Sequence, residues 1–221
     1  MVLNRVADSP DIVEIRNILV STADKTGLEE FVSGILAVRP TATVYSTGGT
    51  FALLEKTVPA ERLRSVSSYT GQPEMQGGLV KTLDFRIYLG LLSESHNPEH
   101  LRDLERTNAV TFDMVVVNLY PFMQQIARSP DDLEGARANI DIGGPCMIRA
   151  AAKNFLRVAS VTSPSVYDRI IAEMRSCSGG LSLATRYRLA CSAFRHTAEY
   201  DTTIAGYLAE RDDPTAAYRI R

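Results

Sequence analysis

The apolar positions of this chain fall into short runs separated by longer amphipathic stretches, and the alternation predicts an order of elements. Residues 1–14 are polar and mixed, and predict a loose extension. An apolar run over 15–20 predicts a strand, followed by a polar turn and an amphipathic helix over about 27–38. Arg39-Pro40 ends that helix, because proline disfavours helical geometry in the residue before it. A strand over 43–46 leads through Thr47-Gly48-Gly49-Thr50 into a short helix over about 51–56, and a third strand is expected over 63–66. Residues 70–78, with Pro73 and three glycines, read as loop, and 98–107 as a charged helix. The clearest strand is 113–119, an apolar, β-branched run of the kind buried on both faces of a parallel sheet. A helix after Pro145, a strand over 158–161 and a mainly helical remainder from Pro164, broken at Ser178-Gly179-Gly180, complete the pattern. Repeated strand–turn–helix units predict a doubly wound α/β fold, with a mainly parallel sheet flanked by helices and a helical C-terminal part. No internal repeat, low-complexity segment or linker interrupts it, so 15–221 read as a single domain.

Composition narrows the function classes. Hydrophobic residues at 45% and charged residues at 23% of 221 positions suit a globular domain with a substantial core. The formal net charge of −2 gives no global attraction to nucleic acid or an anionic membrane, and neither is expected as a partner. No apolar run approaches the roughly 20 residues a bilayer span needs, and the N-terminus lacks a basic start followed by an apolar stretch. Cys146, Cys177 and Cys191 have no metal-ligand spacing. Such a scattered, odd set reads as reduced thiols in a cytoplasmic protein, with no metal site and no cofactor expected.

Several places carry residue types suited to chemistry. In Ser46-Thr47-Gly48-Gly49-Thr50, two glycines allow a tight turn and close backbone approach to a ligand, and the amides opening the next helix suit a phosphate. A plain strand-to-helix connection has the same composition. Asp24-Lys25-Thr26-Gly27 reads as an N-cap aspartate opening the first helix. Two such turns at the carboxyl ends of parallel strands share the rim where open α/β sheets bind ligands. Lys81 sits in a β-like segment and, on its residues alone, reads as a surface charge. Asn118 and Tyr120 end the most buried strand, as caps or as site residues. Asp141 and Lys153 are twelve positions apart, on the order of 15 Å if helix joins them, so spacing alone does not bring them together. His196, one helical turn before Tyr200, reads as a packing or network residue, and His96 and His100 carry no chemical signal.

Taken in order, these segments resemble a known family. Ser21-Thr22-Ala23-Asp24-Lys25-Thr26-Gly27, Ser46-Thr47-Gly48-Gly49-Thr50, Val80-Lys81-Thr82-Leu83 and Met114-Val115-Val116-Val117-Asn118-Leu119-Tyr120-Pro121-Phe122 come first. Asn139-Ile140-Asp141-Ile142-Gly143-Gly144-Pro145, running on to Lys153-Asn154, and Phe194-Arg195-His196-Thr197-Ala198-Glu199-Tyr200-Asp201 follow. Over about residues 15 to 210 the chain is similar to the IMP cyclohydrolase domain of the bifunctional AICAR transformylase/IMP cyclohydrolase family. The resemblance implies a methylglyoxal-synthase-like fold, and ring closure of FAICAR to IMP with loss of water, the last step of de novo purine synthesis. It assigns catalysis to Lys81, Tyr120, Asp141 and Lys153. Lys153 would handle proton transfer, Asp141 and Tyr120 would orient the carboxamide, and Lys81 would serve the formyl group. Asp24, Lys25, Thr26, Gly27, Thr47, Gly48, Gly49 and Thr50 would hold phosphate and ribose, with Thr82, Asn118, Ile142 and Gly143 also binding substrate. It further implies a homodimer. The chain ends near Arg221, where the bifunctional family continues into its transformylase domain, so either that activity is expected on a separate chain or this sequence is one domain of a longer protein.

Five positions depart from the family pattern. Leu79 replaces an arginine, Asp84-Phe85 a His-Pro pair, Tyr88 a second histidine and Ala23 a serine. Leucine supplies neither the charge nor the donor fork of arginine. The changed loop keeps two other readings open: a related cyclohydrolase acting on a modified nucleotide in a specialised pathway, and a catalytically silent nucleotide-binding domain. If the loop merely drifted, Arg86 is expected to supply the missing charge.

Overall fold

The computed structural model describes residues 5–72, 81–211 and 217–218; Leu79, Val80 and most of the loop read over 70–78 lie outside the described residues. The first element, β1 (Ile12–Glu14), pairs antiparallel with the late strand β7 (Gly180–Ser182). The central sheet is five-stranded and parallel, made of β2 (Asn17–Thr22), β3 (Thr43–Ser46), β4 (Leu63–Ser65), β5 (Met114–Asn118) and β6 (Ala159–Val161). Its spatial order is β4-β3-β2-β5-β6. The chain therefore builds outward from β2 on one side, then returns to build outward from β5 on the other. Between β2 and β5 the winding reverses, and in such sheets the crevice beyond the carboxyl ends at that point is where ligands bind.

Both central strands are buried on both faces. In β2, Ile18 and Val20 join the core cluster that contains Phe31 and Ile35 of α1 (Leu28–Val38) and Ile170 and Met174 of α9 (Tyr167–Ser176). Leu19 points the other way, into the cluster of Met147, Ile148 and Ala151 of α8 (Gly143–Lys153) and Ala190 and Ala193 of α10 (Leu183–Ala209). Helix α1 forms because Leu28, Phe31, Val32 and Ile35 repeat at helical spacing on one stripe, all buried. Strand β5 has no polar face, since Met114, Val115, Val116 and Val117 are all buried.

The structure departs from the sequence reading in several places. The segment around Lys81, read as β-like, forms no strand over its described residues. A helix not foreseen, α4 (Phe85–Leu92), follows it, capped by the Asp84 carboxylate, which accepts the Arg86 amide at 2.8 Å. The helix then buries Ile87, Gly90 and Leu91 at helical spacing, and a Cβ on Gly90 would strike the Val110 carbonyl. The short helix α2 (Gly48–Leu54) begins at the glycine pair itself. Three further helices, α3 (Val66–Thr70), α6 (Phe122–Arg128) and α7 (Leu133–Ala138), were not foreseen, while α5 (Pro98–Thr107) was. The N-terminal stretch is anchored from Pro10 onward. The fully buried Arg186 of α10 donates to the carbonyls of Pro10 at 3.0 Å, Asp11 at 2.9 Å and Leu156 at 2.9 Å. Among the described residues, no helix is long and apolar enough to cross a membrane.

Candidate functional site

A cleft of about 550 Å³ opens at the carboxyl ends of β2, β3 and β5, at the reversal of winding. Its walls are the β2–α1 loop, the β3–α2 turn, the segment Lys81–Thr82–Leu83, the end of β5 and the stretch from α7 into α8.

The first wall is held by Asn118. The sheet register sets Asn118 opposite Thr22, and its side chain reaches across to the following loop. Its Oδ1 accepts the amides of Ala23 at 2.7 Å and Asp24 at 2.9 Å, and its Nδ2 donates to the Asp24 carbonyl at 2.8 Å. Asp24 does not cap the helix as predicted. Its carboxylate accepts the Thr26 hydroxyl at 2.6 Å and the Thr26 amide at 2.9 Å, and these bonds, the hydroxyl first, hold its pKa below the ordinary value. The cap position falls to Gly27, whose φ of 64° is open to glycine without strain. Lys25 alone of this quartet lines the cleft, its Nζ 3.2 Å from the Thr22 carbonyl. Asp24, Thr26 and Gly27 shape the loop behind it.

The second wall is the glycine turn. Gly48 has φ 47°, and a Cβ there would stand 3.4 Å from Lys81 Nζ, so the ammonium lies against the turn. Thr47, Gly48 and Gly49 line the cleft, and the first amides of a helix have no intrahelical acceptor. Thr50 also lines it, but its buried hydroxyl is engaged with β2, donating to the Thr22 carbonyl at 3.1 Å and accepting the Thr22 amide at 3.2 Å. Lys25 and Lys81 give this side of the cleft two cations.

Asp141, Ile142 and Gly143 form the opposite wall, where α8 begins. A Cβ on Gly143 would collide with the Thr82 hydroxyl, so this glycine permits the close approach of two walls. The Asp141 carboxylate accepts the Gly144 amide at 2.8 Å, and its own amide donates to the Tyr200 hydroxyl at 2.8 Å. Burial pushes the Asp141 carboxyl up from the usual aspartate value. Tyr120 and Ile142, each 58% exposed, stand at the rim.

Lys153 is not brought to this cleft. It is exposed on the last turn of α8, ten residues beyond Gly143 and so about 15 Å along the helix axis. The changed loop also lies aside. Asp84 is buried as the α4 cap, and the Arg86 guanidinium donates to the Tyr69 carbonyl at 2.9 Å; neither lines the cleft. Tyr88 is half-buried, and burial raises its pKa. Burial lowers the pKa of His196, which lies outside the cleft, as a packing role predicts. Sequence reasoning assigned no site role to Ser21, Thr22, Ala23, Leu83, Ala138, Asn139, Ile140, Gly144 or Met147, which also line the cleft. Met147 was findable, since it lies one helical turn after Gly143 on the same face.

Comparison with known proteins agrees with this fold. A family described as MGS-like domain matches residues 27–146, and one described as AICARFT/IMPCHase bienzyme matches residues 151–220. A Bifunctional purine biosynthesis protein PurH from Ruminiclostridium cellulolyticum is 42% identical over 196 residues, covering 89% of this chain and 37% of that protein. Another, from Synechococcus sp., is 45% identical over 194 residues, covering 87% of this chain and 36% of that protein. The chain thus spans little more than a third of the length of these curated relatives. The crystal structure of ForH superposes with a TM-score of 0.74 at 29% identity, covering 88% of this chain and 99% of that one. With more than half of its length matched by one family and its last third by the other, the chain belongs to the MGS-like domain family and is related to the AICARFT/IMPCHase bienzymes.

Proposed function

We propose that this cleft closes the second ring of a purine nucleotide, converting FAICAR to IMP with loss of water. The observation that carries the reading is the pairing, in one nucleotide-sized cleft, of a carboxyl of raised proton affinity, Asp141, with two ammonium groups, Lys25 and Lys81. The relatives named for purine biosynthesis point the same way. In the reaction the carboxamide nitrogen attacks the neighbouring formyl carbon and gives up a proton as the C–N bond forms. The resulting hydroxyl then takes up a proton and leaves as water, while a ring nitrogen beside that carbon loses a proton and the C=N bond forms. Nucleophile and electrophile are already on one molecule, so positioning costs less than in a bimolecular reaction. What remains is a proton acceptor for a weakly nucleophilic amide, and charge stabilisation at oxygen. Asp141 accepts the amide proton, Tyr120 faces the carboxamide from the rim, and Lys81 steadies the formyl oxygen. Lys25 with the Thr47–Gly48–Gly49 turn receives the phosphate, and Asn118 keeps Lys25 in place.

Lys153, on the far turn of α8, serves proton transfer only if a second copy of the chain brings it to the cleft of the first. A homodimer, working in the cytoplasm, is therefore part of the proposal. The transformylase chemistry that accompanies cyclohydrolase in the family would supply FAICAR, whichever polypeptide carries it. Asp84 and Arg86 engage α4 and Tyr69 rather than the cleft, which favours FAICAR over a modified nucleotide. The test is an absorbance assay of ring closure with FAICAR beside thermal-shift titrations with IMP and AMP. Turnover supports the reading. Stabilisation by IMP without turnover replaces it with a silent binding domain, and neither response replaces it with another substrate.

A further inference from the structure

We propose that Tyr200 is a positioning residue for this cleft: carried on α10, its hydroxyl fixes the main chain of Asp141 while its ring braces the loop that carries Tyr120. The inference rests on the ring-closure reading for its kinetic consequence, but not for its geometry. After α7, the amides of Asn139 and Ile140 bond back to Ala136 and Arg137. The next amide, that of Asp141, has its acceptor 59 positions away in the Tyr200 hydroxyl, at 2.8 Å. Asp141 is thus held at both ends, its amide by α10 and its carboxylate by the Gly144 amide of α8 at 2.8 Å.

The same tyrosine reaches the opposite side of the site. Its ring meets Phe122 edge-on, with centroids 6.3 Å apart, and Tyr207, two turns along α10, meets Phe122 at 5.7 Å. Phe122 is 2% exposed and its amide donates to the Tyr120 carbonyl at 2.8 Å, so the rim tyrosine hangs from the clamped ring. Packing alone would be served by phenylalanine at position 200. The hydroxyl is the part that reaches a loop of the cleft, and a buried phenol needs such a partner.

Tyr200→Phe separates the two roles, because it keeps the ring against Phe122 and deletes the hydroxyl. With the native chain as reference, kcat for FAICAR should fall about tenfold or more while KM stays within about twofold, since misplacing a reacting group costs turnover and the phosphate contacts are untouched. Hydrogen exchange at the Asp141 amide should accelerate by a similar factor, read by NMR against the Ile18 amide of β2 as an internal control. Thr185→Val, which removes a buried hydroxyl bond to Glu173 at the far end of α10, should leave kcat within about twofold and so controls for stability alone. Unchanged kcat together with unchanged Asp141 exchange in Tyr200→Phe overturns the proposal. So does a loss of kcat matched by Thr185→Val. If the native chain does not turn over FAICAR, the ring-closure reading falls by itself, and exchange at the Asp141 amide then decides whether α10 fixes the loop.

Discussion

Replacing Asn118 by alanine tests how the fold sets the cleft. The side chain makes three hydrogen bonds to the β2–α1 loop, two accepted from amides and one donated to a carbonyl, all at 2.9 Å or less. Each is worth about 0.5–1.5 kcal/mol net. The loop is exposed at Asp24, so water reclaims the freed groups, and the low end applies, about 1.5–2 kcal/mol in all. For a chain of this size that corresponds to a fall in Tm of about 3–8 °C. The functional effect should be larger than the Tm suggests. Lys25 rides on the released loop, and reordering one or two residues on binding costs about 1–2 kcal/mol, or roughly five- to thirtyfold in Kd for IMP. Asn118→Asp should bind more weakly still, because it loses the donor and adds negative charge beside an anionic ligand. Calorimetric titration with IMP and a melting curve for each variant check this. If Asn118→Ala binds IMP within about twofold of the native chain, the loop does not depend on this side chain and the reasoning fails.

Gly48→Val should weaken IMP binding by about tenfold or more and leave the fold intact, because a branched side chain at φ 47° both strains the turn and crowds Lys81; titration with IMP reads it. The Asp141 carboxyl, raised above 3.8 by burial, must be ionised to accept a proton, so kcat should fall as pH drops through that raised value, on a limb displaced to higher pH than an ordinary aspartate gives. The same shift makes the native chain relatively more stable when this group is protonated, a contribution present below the unfolded pKa and lost as pH rises through the folded one. Asp141→Asn should therefore gain stability over the native chain across that rise, in paired melting curves. For Lys153, mixing Lys153→Ala with Asp141→Asn should restore up to about a quarter of native activity if each cleft combines residues of two copies, since half the dimers would then hold one intact cleft. No recovery on mixing would confine Lys153 to its own chain or remove it from the reaction.

The strongest sequence signals were those set by burial on both faces and by helical periodicity. Strand β5 was plain as an unbroken apolar run, and α1 as four apolar positions on one stripe. Helix α4 was not, because its start depends on a cap, Asp84, directly after a segment that reads as β-like, and its buried face includes a glycine packed under Phe112. Helices α6 and α7, of seven and six residues, are too short for a periodicity to emerge. In the site, the residues of the two glycine turns and the α8 start were legible by type. Their tasks were not. Thr50 and Asp24 look like ligand hydroxyl and helix cap, yet one bonds to β2 and the other closes its own turn. Asn118 acts through the register between β2 and β5, and Tyr200 through a contact 59 residues away, neither of which spacing can reveal. Lys153 was grouped with Asp141 by resemblance, whereas α8 carries it away from the cleft that Asp141 lines.

The most direct test compares the native chain with Asp141→Asn in a continuous absorbance assay of FAICAR ring closure, with IMP affinity measured on the same preparations. The native chain should form IMP, and Asp141→Asn should lose about two to four orders of magnitude in kcat while binding IMP nearly as well, because the phosphate side of the cleft is untouched. A native chain that binds IMP without forming it, or an Asp141→Asn variant that keeps a tenth or more of native turnover, would contradict the account.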